Sequence, residues 1–374
     1  MTWPPRCDIF YIRIYPAMAE KTLVAMSGGV DSAAAALTLK RRGCDVAGVT
    51  LRLYDARARS GRWCCSPAGV REAAALAKHI GIPHYVLDFR DEFRRAVVDD
   101  FVAEYARGRT PNPCVRCNSI VKFDYLLRRA RAMGFDAVAT GHYVRREYDE
   151  EASRYVLRRA VDAAKDQSYF LWATPRECLP AILFPVGGLL KTEVRALLAE
   201  VTKAAADKPE SQDICFVEDG SYADLVEGAG DVGGEAGPIV DERGNVLGEH
   251  AGIARYTVGQ RRGLGVAGGT RLYVKEIDAA TNTVVLAEGP ALASSRFRVG
   301  DVNWLLPPDG DEVRATVMVR YRDPGAAATL RRLTPATWAV TFDEPRRAIA
   351  PGQSAAFYDG DALLGGGVID EVSP

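Results

Sequence analysis

The sequence predicts a doubly wound α/β domain on a parallel sheet, followed by a small β-rich domain and a C-terminal β-barrel. Three observations carry this expectation. From residue 23 to about 139, short apolar runs alternate with helix-length segments, the pattern of parallel strands joined by crossover helices. After about residue 216 glycine becomes dense and helical periodicity stops, leaving short β-type runs. From residue 297 onward the chain reads as successive strands. The domains are accordingly expected at 1–216, 217–289 and 290–374, with 1–17 an unstructured extension before Met18.

The elements follow in order. Residues 21–26, Lys-Thr-Leu-Val-Ala-Met, read as a buried strand, and an alanine-rich helix over 33–41 is closed by Gly43. A second strand covers 46–51. Ser66-Pro67 starts the next helix, with an N-cap hydroxyl before proline at the first helical position, and that helix runs to Gly81. Residues 84–89 and 137–140 are further strands. Later β-type runs fall at 271–274 and 283–286, then at 315–321, 338–342, 355–358 and 367–369.

A chain of 374 residues with 48% hydrophobic and 26% charged residues has the composition of a soluble globular protein of two or three domains. No apolar run approaches the ~20 residues that span a membrane, and the start of the chain is no convincing signal peptide, so the expected compartment is the cytoplasm. The net charge of −1 gives no bulk electrostatic argument for nucleic acid. Arginine pairs at 94–95, 128–129, 145–146, 158–159 and 261–262 are permissive for RNA, but arginine outnumbers lysine throughout the chain.

Between the first strand and its helix lies Ser27-Gly28-Gly29-Val30-Asp31-Ser32. A strand turning through paired glycines into a helix aims several backbone N–H groups at one spot, and the helix N-terminus adds positive potential there. Glycine permits the tight backbone and the close approach of an anion. The segment has no Gly-Lys-Ser/Thr ending, so it is not the loop that cradles a transferable γ-phosphate. It is similar instead to the pyrophosphate loop of enzymes that split ATP to AMP and pyrophosphate.

Eight cysteines stand at 7, 44, 64, 65, 114, 117, 178 and 215, which in a chain of this kind points to thiol chemistry or metal rather than to a disulfide framework. Thr110-Pro111-Asn112-Pro113-Cys114-Val115-Arg116-Cys117-Asn118 carries a C-x-x-C pair, which reads as a redox dithiol, half of a zinc site, or a nucleophile with its neighbour. No second pair or paired histidines complete a zinc site. Cys44 and Cys178 read as small buried apolar residues.

With these motifs in place the chain resembles the bacterial tRNA-specific 2-thiouridylases, ATP-dependent sulfurtransferases that thiolate the wobble uridine of certain tRNAs. The matching segments are residues 27–32, 110–118, Ala139-Thr140-Gly141-His142-Tyr143, 165–171, Phe184-Pro185-Val186-Gly187, 208–216, 256–265, 320–322 and Pro351-Gly352-Gln353-Ser354. They run in order over residues 21 to 369. The resemblance implies an ATP-pyrophosphatase-type sheet whose ATP site is lined by Ala25, Met26, Ser27, Gly28, Gly29, Val30, Asp31, Ser32, Leu51 and Gly141. It implies Cys117 as nucleophile and Cys215 as the persulfide carrier. Asn112, Pro113 and Cys114 would meet the target base, and Lys165, Asp166, Gln167, Arg320 and Tyr321 would meet tRNA. It also implies Mg2+ with the ATP and a donor protein that delivers persulfide or sulfide.

Many relatives carry Asp where this chain has Cys114. Three thiols at Cys114, Cys117 and Cys215 could therefore hold a [4Fe-4S] cluster with one open iron, or Cys114 could simply occupy the base pocket. The alternatives in function are thiolation through such a cluster and a non-catalytic tRNA-binding protein, the latter opposed by the presence of Asp31, Cys117 and Cys215. An amide-forming ATP pyrophosphatase would need a glutaminase domain, for which no sequence is left.

Overall fold

The computed structural model describes residues 21–54, 67–208, 214–217, 222–228, 234–266 and 270–373. The expectations for residues 1–17, Cys7, Cys64, Cys65 and Ser66 lie outside the described residues. The chain divides into two compact units. The first holds the described residues up to Arg94, then 115–216 and 361–364; the second holds 95–114, 217–360 and 365 onward.

In the first unit, strands β1 (Lys21–Ala25), β2 (Asp45–Arg52), β3 (His84–Asp88) and β4 (Ala137–Ala139) are four of the five strands of a parallel sheet. A hairpin of β5 (Val144–Asp149) and β6 (Arg154–Arg159) follows, and β7 (Ile182–Leu183) completes the sheet in the order β3-β2-β1-β4-β7. Leu23 of β1 stands opposite Ala47 on one side and Val138 on the other, and all three are buried. The strand order reverses direction at β1, so the loop after β1 opens where such sheets bind ligands.

Helix α1 (Val30–Arg41) follows that loop and α2 (Pro67–Ile80) follows β2. Residues Ala33, Ala34, Ala35 and Ala36 have no exposed surface, because α1 is covered by β1, β2, α2 and α3 (Lys191–Ala199). Small side chains let that many backbones pack at once. The helix begins three residues earlier than expected, at Val30, which puts Asp31 and Ser32 in its first turn. The β5–β6 hairpin was not expected either. Its arginines mostly serve the fold: Arg145 and Arg158 both pair with Asp361 and Glu147. Arg146 is buried, donates to the carbonyls of Leu179 and Pro180, and lies over the Tyr155 ring.

The second unit contains two β structures. Strands β8 (Gly237–Asp241), β9 (Val246–His250), β10 (Leu272–Asp278) and β11 (Thr283–Glu288) form a sheet in the order β10-β11-β8-β9. Strands β12 (Ala293–Trp304), β13 (Glu312–Met318), β14 (Ala326–Thr334), β15 (Thr337–Arg347), β16 (Ser354–Asp359) and β17 (Ala362–Ser373) run in the order β12-β15-β14-β13-β16-β17, and β17 returns to β12 to close a six-stranded barrel. Trp338 fills it without exposure, edge-on to Trp304 at 5.0 Å. Two corrections apply here. Helical structure does not stop at residue 216, since Tyr222–Gly228 is a helix. The strand expected over 315–321 ends at Met318, so Arg320 and Tyr321 stand in the turn after it.

Residues 95–114 also belong to this second unit, carried there by a loop that leans on the barrel. Thr110 N–H donates to the Pro351 carbonyl at 2.8 Å, and Arg109 pairs with Glu104 and Asp370. Gly352 has φ +88°, and a Cβ there would lie 2.8 Å from Thr110 N, so only glycine fits.

Candidate active site

The loop after β1 is organised by its own serines. Ser32 Oγ donates to the Gly29 carbonyl at 3.1 Å and accepts from Ser27 N–H at 3.2 Å. Gly28 has φ +77°, and a Cβ on it would stand 3.0 Å from the Gly69 carbonyl at the start of α2. The first helical hydrogen bond is Ala33 N–H to Gly29 O. The N–H groups of Val30, Asp31 and Ser32 therefore have no helical acceptor and face the loop, the arrangement that receives an anion. Gly141 presses on the same turn: a Cβ there would lie 2.6 Å from the backbone of Asp31 and Ser32.

Ala25 and Met26 lead into the loop, and Leu51 lies buried on the neighbouring strand. Thr50 donates to the Met26 carbonyl at 2.8 Å and must therefore accept from Nε2 of His84, 2.9 Å away. Asp31 is held on two sides. Its Oδ1 accepts from the Tyr143 hydroxyl at 2.8 Å and from Lys191 Nζ at 2.6 Å. Lys208 reaches the loop as well, donating to the Gly28 carbonyl at 3.1 Å and pairing with Glu72. Neither lysine was anticipated. A lysine opening a helix after Gly187-Gly188, or one before a proline, carries no local signal of where its ammonium will go.

Cys117 is buried and opens a π-helical segment, Cys117–Tyr125, a wide turn often found at functional sites. Asn118 Nδ2 donates to the Phe170 carbonyl at 3.3 Å, and Lys122 Nζ donates to Asn118 Oδ1 at 2.9 Å. Cys215 is half-buried, and its carbonyl accepts a hydrogen bond from the Tyr54 hydroxyl. Its neighbour Phe216 packs edge-on against Phe93 at 5.6 Å, and the short helix Arg90–Phe93 packs on the π-helical segment that Cys117 begins. The two cysteines thus share one unit. Cys114 is exposed and falls in the other unit with Asn112 and Pro113.

The expected tRNA contacts differ among themselves. Asp166 turns inward, accepting from Ala160 N–H at 3.0 Å and from the Ser168 hydroxyl at 2.8 Å, and Gln167 accepts from Tyr143 N–H. These two organise their own loop. Arg320 is exposed and forms no side-chain bond among the described residues, whereas Tyr321 lies beside Arg322. His142 is packed against Phe123 and Phe184, and burial, with Lys122 adding to it, holds its pKa well below the usual histidine value. Cys44 and Cys178 have thiol pKa values pushed up by burial, in keeping with inert packing roles.

Among the described residues no group of three or more His, Cys, Asp or Glu side chains gathers to hold a metal ion. The ligands of a [4Fe-4S] cluster on Cys114, Cys117 and Cys215 would have to come from both units. Asp31 supplies the single carboxylate at the loop, which suits a Mg2+ ion held mainly by substrate phosphates. No helix among the described residues is long and apolar enough to cross a membrane.

A parallel sheet with a glycine loop after its middle strand, followed by a helix carrying Asp31 in its first turn, defines an α/β protein of the ATP-pyrophosphatase type. Three family models match in succession: a "tRNA methyl transferase HUP domain" over residues 20–219, a "tRNA methyl transferase PRC-barrel domain" over 229–288 and an "Aminomethyltransferase beta-barrel domain" over 294–369. Curated relatives named tRNA-specific 2-thiouridylase MnmA align along nearly their whole length. One from Zymomonas mobilis is 46% identical over 362 residues, covering 96% of this chain and 95% of the relative. Another from Moorella thermoacetica is 46% identical and covers 94% and 99%. One from Rhodospirillum centenum is 47% identical and covers 95% and 93%. The chain belongs to the MnmA family of tRNA-specific 2-thiouridylases.

Proposed function

We propose that this chain is an ATP-dependent tRNA-uridine 2-sulfurtransferase that replaces the C2 oxygen of the wobble uridine with sulfur. The observation that carries this reading is the presence, in one compact unit, of a pyrophosphate-type loop together with Cys117 and Cys215. Methyl transfer, the activity named in two of the domain descriptions, would leave both features without a task.

The chemistry follows from the leaving group. The uracil C2 oxygen departs poorly, so it attacks the α-phosphate of ATP, pyrophosphate leaves, and the oxygen becomes part of AMP. The N–H groups of Val30, Asp31 and Ser32 receive the phosphates, and Mg2+ neutralises their charge when bound. Sulfur then enters as a nucleophile from a persulfide on Cys215. In one route the terminal sulfur attacks C2 and expels AMP, after which the Cys117 thiolate attacks the Cys215 sulfur and leaves the thiocarbonyl on the base. In the other, Cys117 attacks first and releases sulfide, which attacks C2. Either route ends in a Cys117–Cys215 disulfide that an external thiol reductant reopens.

The base must leave its stack to reach ATP and thiols together. Asn112, Pro113 and Cys114 are assigned to it, while Lys165, Arg320 and Tyr321 are assigned to the tRNA backbone and shape. A separate donor protein in the cytoplasm supplies the persulfide sulfur. The test is pyrophosphate release that requires unmodified tRNA, with 2-thiouridine detected by mass spectrometry of the digested product. Pyrophosphate release indifferent to tRNA, or tRNA left without 2-thiouridine in the presence of a persulfide donor, would overturn the proposal.

A further inference from the structure

The segment that carries Asn112, Pro113 and Cys114 leaves the helix Asp99–Ala106 through a left-handed glycine. Gly108 has φ +70°, its N–H donates to the Tyr105 carbonyl at 3.0 Å, and Arg109 N–H donates to the Glu104 carbonyl at 3.0 Å. This pair of bonds closes the helix and folds Arg109 back beside Glu104. The guanidinium then spreads its donors over a helix and a strand. Nε donates to Glu104 Oε2 at 2.7 Å, Nη1 to Asp370 Oδ1 at 3.0 Å and to the Asp370 carbonyl at 3.4 Å, and Nη2 to the Ile369 carbonyl at 3.3 Å. Ile369 and Asp370 belong to β17 of the barrel, 260 and 261 positions further along the chain.

Two glycine contacts fix the same root. A Cβ on Gly108 would lie 2.9 Å from the Ile277 carbonyl of β10, and one on Gly352 would lie 3.0 Å from Arg109 Cβ. Beyond this root the chain is stiff. Proline sets φ at positions 111 and 113, and the residues before them, Thr110 and Asn112, are confined to extended conformations. Thr110 and Pro111 are buried, and Pro113 opens a short helix in which Cys114 is exposed. An arm with so little freedom of its own takes its direction from where it is rooted. Surface loops are commonly mobile, so this much anchoring of one loop is poorly explained by chain connection alone. It is well explained if the arm has to present its tip accurately.

We infer that Arg109 is a positioning residue for the target base: by tying Glu104 to β17 it fixes the root of the arm 110–113, and so sets where Asn112 and Cys114 meet the uridine. This rests on the assignment of Asn112, Pro113 and Cys114 to the base given above. Arg109 touches neither base nor ATP in this scheme and acts through the arm. Its planar fork suits the task, since one rigid group satisfies acceptors on a helix and on a strand at once. Attack of the C2 oxygen on the α-phosphate needs an accurately placed base, and an error of about 1 Å costs about 100-fold in rate.

The experiment measures single-turnover pyrophosphate release by the full chain at saturating ATP and unmodified tRNA, together with the dissociation constants of both. Arg109→Met should lower the rate by about 10- to 100-fold while the ATP and tRNA affinities stay within about threefold of the parent. Arg109→Lys keeps the charge without the fork, and its rate should fall between those of Arg109→Met and the parent. Glu104→Gln keeps an oxygen acceptor for Nε and should release pyrophosphate faster than Glu104→Ala. A parental rate in Arg109→Met would overturn the assignment. So would a loss of ATP affinity in step with the rate, the mark of a residue that only stabilises the fold. Asn112→Ala combined with Cys114→Ala tests the reading beneath it. If that pair is slow while Arg109→Met is not, the positioning role falls alone; if the pair releases pyrophosphate at the parental rate, the assignment of the arm to the base falls and takes Arg109 with it.

Discussion

Arg346 donates to the carboxylate of Asp323 at 2.5 Å, and that carboxylate is 1% exposed while the arginine is 27% exposed. The pair lies under the turn Arg320-Tyr321-Arg322-Asp323-Pro324-Gly325 that follows β13. Asp323 also accepts from Gly325 N–H at 3.1 Å, so one buried acid closes the turn and ties it to β15. Arg322 has φ +65° within that turn, an uncommon conformation for a side chain of its size.

Replacing Asp323 with Ala should cost about 2–3 kcal/mol of stability, since it strands a partly buried guanidinium and opens the turn. Urea denaturation reads the loss. A variant as stable as the parent would show that the turn holds without its buried acid.

Arg320→Ala should weaken tRNA binding and reduce the slope of log affinity against log salt by about one, the effect of one lost phosphate contact. ATP affinity should stay at the parent value. Identical salt slopes in parent and variant would remove Arg320 from the tRNA interface.

Asp31→Ala should abolish thiolation while tRNA affinity stays near that of the parent, because its partners Tyr143 and Lys191 are not among the residues assigned to tRNA. A filter-binding curve and a thiolation assay on the same preparation separate the two effects. Normal turnover in this variant would exclude the loop from the reaction.

Cys117→Ser and Cys215→Ser should fail in different ways. The Cys117→Ser protein should still accept sulfur from a persulfide donor and carry it on Cys215, visible as one added sulfur in the intact mass. The Cys215→Ser protein should not. In the parent, one turnover without reductant should produce a Cys117–Cys215 disulfide, and its absence from the peptide map would count against both persulfide routes.

His142 supplies a pH prediction. Its folded pKa lies below the ordinary 6.5 because of burial and the nearby Lys122, so the unfolded chain binds the proton more readily. His84 shifts in the same direction through burial. For a histidine held neutral, the contribution to stability is complete above pH 6.5 and is lost as pH falls below it. Each such group adds at most about 1.4 kcal/mol per pH unit to the slope. His142→Gln should therefore flatten the fall in unfolding free energy between pH 6.5 and 5, and an unchanged slope would contradict the burial of a neutral ring.

The sequence by itself determined the parallel sheet, the loop at residues 27–32 and the β-barrel, because each of these writes a local pattern. Apolar runs spaced by helices mark β1 to β4, and paired glycines between a strand and a helix mark the tight turn after β1. Cys117 and Cys215 were singled out by the resemblance of the segments around them to those of the family, not by a local structural pattern. What only the tertiary structure decided are partnerships between residues distant in the chain. Lys191 meets Asp31, Lys208 meets Gly28 and Thr110 meets Pro351 because sheet topology and barrel closure bring separate segments together. The arginine pairs make the point most plainly. In sequence Arg145, Arg146 and Arg158 belonged to pairs permissive for RNA, while Arg320 was a tRNA contact implied by resemblance, and the first three are taken up by Glu147, Asp361 and buried carbonyls. Arg320 alone of these four stands exposed without a side-chain partner among the described residues, because it sits in a turn beyond the end of β13 where no acid reaches it.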